Sequence, residues 1–96
     1  MEKVNVALQV LPSGGSKGTY ELVDEAIGCI QRSGLKYQVC PFETVIEGPY
    51  DEVMDVAKLA QEACLAAGAE KLMVYIKIQR TKDADVTIDD KMNKYK

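Results

Sequence analysis

Glu47 has the widest chemistry open to it of any residue in this sequence. It follows the run Thr44-Val45-Ile46, whose β-branched side chains favour a strand, and it precedes the turn Gly48-Pro49. A carboxylate at the end of a central strand is only partly solvated and needs a partner. It can accept hydrogen bonds from an amino group or balance a cation. Alternatively, it can simply favour the positive N-terminus of a following helix. Thr44 adds a hydroxyl on the same strand and Gln9 an amide on an earlier one, although strand alternation alone does not fix which face each takes. The stretch Ser13-Gly14-Gly15-Ser16-Lys17-Gly18 precedes a helix, the setting in which backbone amides meet an anion. Its Lys17-Gly18-Thr19 order breaks the Gly-Lys-Ser/Thr that a phosphate-binding P-loop requires, so turn geometry accounts for it equally well. Tyr37 and Phe42 can pack or stack on a flat ring, and Tyr20 reads as part of the core stripe of the first helix with its hydroxyl at a rim.

Several classes of chemistry lack their residues. The chain has no His and three cysteines, Cys29, Cys40 and Cys64, with no close pair among them. Metal centres and redox dithiols need closely spaced ligands, so the thiols read as buried and reduced, and no metal or cofactor is expected. No nucleophile with a neighbouring base is readable either, so the chain is expected to bind and not to catalyse. The net charge of −3 and pI near 4.9 argue against nucleic acid, which calls for a clustered basic face. The opening MEKVNVAL is no signal peptide, and no apolar run approaches the ~18 residues of a membrane span. A cytoplasmic protein is expected.

The elements that must position these residues follow from periodicity. Val4, Val6, Leu8 and Val10 alternate with polar or small residues as a strand that Pro12 should stop. Thr19 is placed to cap a helix carrying Tyr20, Val23, Ile27 and Ile30, which Gly34 ends. Leu35 to Val39 and Thr44 to Glu47 are two short strands broken by Cys40-Pro41-Phe42. A second helix begins after Pro49, has an apolar stripe of Val53, Val56, Ala57, Ala60, Ala63, Cys64 and Ala67, and closes at Gly68. Leu72 to Ile78 alternates as a fourth strand.

The order βαββαβ in 96 residues predicts one α+β domain, residues 1–96, of ferredoxin-like type. In that fold a four-stranded antiparallel sheet carries both helices on one face. The other face, with Ala7, Met73 and Tyr75, is left for a second copy of the chain, so a homo-oligomer is expected. Residues 81–96 form a charged C-terminal extension in which only Val86, Ile88 and Met92 are spaced to dock. It reads equally as an added strand and helical turn or as a frayed end.

Taken in order, Val6 to Pro12 with its glycine loop, Ser33-Gly34-Leu35-Lys36-Tyr37, Pro41 to Gly48, Ala67-Gly68-Ala69-Glu70-Lys71 and Ile76-Lys77-Ile78 resemble the small thiamine-binding protein family over nearly the whole chain. Thr44-x-x-Glu47-Gly48 is the most specific piece, and Thr87-Ile88 with Lys91 is similar to the family's terminal pattern. Phe42 and Glu43 stand where members usually carry Met and Gly, and Gln79-Arg80 where an Asp-x-Arg-like pattern is usual. The resemblance implies a ferredoxin-like fold, dimers or tetramers through the sheets, and binding of thiamine or its hydroxymethylpyrimidine moiety as a carrier, buffer or sensor. It places Thr44 and Glu47 at or near the pocket, and Gly18, Thr19 and Tyr20 in a second contact zone. Gln9 and an aromatic face from Tyr20 or Phe42 complete the expected set. The competing expectation is a ferredoxin-like regulatory or oligomerisation module with a different small-molecule effector. An acylphosphatase-like hydrolase is disfavoured because the first loop offers Lys17 and no arginine, and an RNA-binding domain because stacking aromatics and a basic face are missing.

Overall fold

A computed structural model describes residues 2–95. Four strands form one antiparallel sheet: β1 (Lys3–Ser13), β2 (Lys36–Val39), β3 (Thr44–Pro49) and β4 (Lys71–Gln79), in the order β2-β3-β1-β4. Helix α1 (Thr19–Arg32) joins β1 to β2, and α2 (Tyr50–Ala66) joins β3 to β4. Both pack on the face carrying Val4, Val6, Leu8, Val10 and Ile46, which is the α+β architecture expected.

Alternation along β1 decides which residues meet the helices. Its even-numbered apolar residues are buried beneath Leu22, Ala26 and Ile30 of α1 and Val53, Val56, Ala57, Ala60 and Cys64 of α2. Burying one such side chain contributes roughly 1.5–3 kcal/mol, and Ala57 and Ala60 let α2 lie close to the sheet. Cys64 belongs to this core: burial pushes its thiol pKa upward, and its Sγ lies 3.3 Å from the Leu22 carbonyl.

Three local expectations are corrected, and one left open is decided. β1 does not stop at Pro12 but continues to Ser13, pairing Pro12 with Leu72 and Ser13 with Lys71. Beyond Leu8 the β3 ladder has ended, and a strand with one free edge accommodates a proline. The N-cap of α1 is Gly18, without a side-chain hydrogen bond, and Thr19 is the first helical residue. Tyr20 is 87% exposed instead of lying in the core stripe, which runs through Leu22, Ala26 and Ile30. Val23 and Ile27 flank that stripe, half-buried. Finally, the C-terminal segment folds back as a short α3 (Ile88–Met92) followed by a 3-10 turn (Asn93–Tyr95), with Val86 and Ile88 buried.

Candidate functional site

The strand register separates the sequence-predicted residues onto two faces. Thr44 opposes Leu8 and faces the helices, whereas Glu47 opposes Asn5 and faces away from them. One pocket therefore cannot be lined by both side chains on the same side of the sheet. Gln9, opposite Tyr75, shares the outer face with Glu47.

On the outer face Glu47 is one of four polar residues in a row across the sheet. Lys36 pairs with Glu47, Glu47 with Asn5, and Asn5 with Gln79. Every member holds the C-terminal segment. Lys36 Nζ lies 2.6 Å from Asp89 Oδ2, and the Ile88 amide donates to Glu47 Oε1 at 2.6 Å. Asn5 Nδ2 donates to the Val86 carbonyl at 3.0 Å, and Lys91 Nζ donates to Gln79 Oε1 at 2.8 Å. The Val86 amide also donates to the Lys3 carbonyl at 2.9 Å. Glu47 is thus 5% exposed because the C-terminal segment covers it, and its negative charge meets the first amide of α3. The hydrogen bond to Asp89 holds the Lys36 ammonium pKa above the ordinary lysine value.

On the helix face, a cavity of about 90 Å³ lies where β3 begins, beneath the β2–β3 hairpin. Its walls come from Leu8 and Val10 of β1, Val23 and Ile27 of α1, and the hairpin residues Phe42 to Thr44. Gln9 contributes to the wall as well, along the stretch of β1 that β3 no longer pairs. The free edge of a strand presents amide and carbonyl groups in alternation. Phe42 stands 81% exposed at the hairpin, and Thr44 is buried. The structure thus brings together Thr44 and Phe42, has Gln9 border the cavity from a strand position that faces outward, and leaves Glu47, Gly18, Thr19 and Tyr20 outside it.

The glycine-rich loop already holds an anion, one of the protein's own. Gly15 donates its amide to Glu70 Oε1 at 2.8 Å, and the Glu70 amide donates to the Ser13 carbonyl at 2.9 Å. Sequence reasoning missed Val10, Val23, Ile27 and Glu43 as cavity residues. The available signal was the mismatch in α1, where Val23 and Ile27 are apolar positions beside the Leu22-Ala26-Ile30 stripe. Glu43 forms an ion pair with Lys77 at 3.1 Å, bridging the hairpin to β4 across the outer face. Among the described residues no cluster of His, Cys, Asp and Glu could hold a metal ion, and no helix is long and apolar enough to cross a membrane.

A four-stranded antiparallel sheet with two helices on one face, and a small hollow under its β2–β3 hairpin, defines a compact α+β domain. Comparison with known proteins makes the assignment narrower. The family model described as thiamine-binding protein matches residues 6–96, and the chain belongs to that family. A UPF0045 protein from Clostridium perfringens is 40% identical over 96 residues, covering all of both chains. Among solved structures, a domain of unknown function DUF77 from Bacillus cereus superposes with a TM-score of 0.95 at 42% identity, covering 99% of this chain and 91% of that one. A Thermotoga maritima protein proposed to act in thiamine biosynthesis or salvage gives a TM-score of 0.87 at 31% identity, with 98% and 99% covered.

Proposed function

We propose that this protein binds thiamine or its hydroxymethylpyrimidine moiety without transforming it, as a cytoplasmic carrier, buffer or sensor. The observation that carries this reading is the cavity beside the unpaired stretch of β1. A pyrimidine ring is flat, with an amine and ring nitrogens around its edge. The cavity offers apolar walls from Leu8, Val10, Val23 and Ile27, a hydroxyl from Thr44, and a strand edge with alternating donors and acceptors. Its volume is about 90 Å³, below the roughly 150 Å³ that takes a benzene-sized ring, so the hairpin must shift outward to admit one. Exposed Phe42 rides on that hairpin and supplies the stacking face. Family membership supports the ligand class.

Gly18, Thr19 and Tyr20, exposed at the start of α1, serve in this reading as an outer contact zone for the remainder of the ligand. Glu47 acts at a distance, fastening the C-terminal segment across the sheet. The exposed apolar residues Leu11, Met73 and Tyr75 on the outer face favour a homodimer or homotetramer through the sheets. Three free thiols suit a reducing compartment.

Calorimetric titration of thiamine and of hydroxymethylpyrimidine tests the reading. Binding should be saturable, and Thr44→Val should weaken it by roughly three- to tenfold, the worth of one neutral hydrogen bond. Phe42→Ala should weaken it by a similar factor through lost stacking. No heat with either compound at millimolar concentration ends the proposal.

A further inference from the structure

Asn5 sits at the centre of the outer polar row and is 3% exposed. Its amide orientation is fixed, because only the NH₂ group can donate to the Val86 carbonyl. Oδ1 is therefore the atom left over, and among the described residues it is buried and accepts no hydrogen bond. Leaving such an acceptor unmet is costly, which is why nearly all buried polar atoms find a partner. A valine or threonine would fill the same strand position without this cost.

Asn5 also forms part of the wall of two adjoining clefts, which share Val45 and Lys91. One, of about 270 Å³, runs over the sheet between Glu43, Lys77 and Gln79. The other, of about 220 Å³, lies between the sheet and α3 and is bounded by Val45, Ile88 and Met92. Lys77 is ion-paired with Glu43, and the Lys91 ammonium donates to the neutral Gln79 side-chain oxygen, so the polar atom of these walls left without a partner is Asn5 Oδ1. What is missing is a neutral N–H donor on a small apolar body.

We propose that the cleft beside Asn5, between the outer sheet face and α3, is a second small-molecule site, taking a ligand with a neutral N–H donor edge, such as a primary amide, on a single ring. The donor meets Asn5 Oδ1, and the ring lies against Val45, Ile88 and Met92. This site is on the opposite side of the sheet from the hairpin cavity and does not depend on the thiamine reading.

The full chain, isotopically labelled, is titrated with benzamide and with methyl benzoate, which has the same ring but no N–H. Benzamide should shift the Val45, Ile88 and Met92 signals saturably at millimolar concentration. Methyl benzoate should bind at least about fivefold more weakly, the loss of one hydrogen bond. Val45→Phe should fill the cleft and abolish the shifts while leaving Val23 and Ile27 unchanged. Should that variant unfold, Met92→Trp blocks the same cleft from the α3 side. Equal binding of the two compounds overturns the proposal. So does the absence of shifts at the cleft, or a crystal structure in which one enclosed water satisfies Oδ1 and benzamide does not displace it.

Discussion

Glu47 and Ile88 are joined by a 2.6 Å hydrogen bond from the Ile88 amide to the Glu47 carboxylate, across a separation of 41 residues. The bond is buried, charge-assisted and located at the start of α3, three conditions that each strengthen it.

Removing the carboxylate should therefore release the C-terminal segment. Glu47→Ala is expected to cost about 2 kcal/mol in urea unfolding, the range for a hydrogen bond to a charged group. Glu47→Gln keeps an acceptor and should cost about half as much. The Ile88 amide should lose hydrogen-exchange protection in the alanine variant. Unchanged protection there would show that the segment is held by packing of Val86 and Ile88 alone.

The Lys36–Asp89 ion pair should give the segment a pH dependence on the alkaline side. Asp89 raises the folded-state pKa of Lys36, so this stabilisation is complete below the unfolded lysine pKa of about 10.4. It is lost as pH rises through the higher folded value. The Ile88 methyl signal, followed from neutral to strongly alkaline pH, should move in the wild type and stay flat in Asp89→Asn over the same window. Identical titrations in both would remove the ion pair from the account.

Two glycines with similar backbone angles should respond differently to alanine. Gly15 and Gly34 have φ of +81° and +79°, where a side chain is strained by roughly 1 kcal/mol. A Cβ at Gly34 meets nothing within 4 Å, whereas one at Gly15 runs into the Gly68 carbonyl oxygen. Gly34→Ala should cost about 1 kcal/mol and Gly15→Ala about 3 or more, since the loop must pull away from Glu70. Thermal unfolding of the two variants compares them directly, and equal shifts would contradict the close approach.

Thiol labelling should divide the cysteines. Cys64 is buried with its pKa pushed up, so its thiolate is scarce and shielded. Cys29 and Cys40 are partly accessible. A thiol reagent should modify those two in the folded protein and Cys64 only after denaturant is added. Rapid native labelling of Cys64 would mean that α2 opens readily.

Element order was legible in the sequence because alternation in β1 and β4 and the two glycine-closed helices leave one economical arrangement. The alignment of the stripe on α1 was harder, since Tyr20, Val23, Ile27 and Ile30 fit a helical repeat as well as Leu22, Ala26 and Ile30 do. Only the tertiary packing chooses between them. The pairing of Thr44 with Glu47 as neighbours in one pocket failed for a geometric reason: residues three apart on a strand point to opposite faces. Glu47 was recognisable as an acid needing a partner. That the partner is a backbone amide 41 residues on could not be read from local pattern.

The polar row that fastens the C-terminal segment draws one residue from each of the four strands. Because side chains alternate, slipping β3 by a single position would turn Glu47 inward and bring Ile46 or Gly48 beneath Ile88. The same slip in β2 would remove Lys36 from Asp89. The latch closes only over a correctly assembled sheet, so it works as a gauge of strand alignment. Mispaired chains would be left with a loose end exposing Val86 and Ile88.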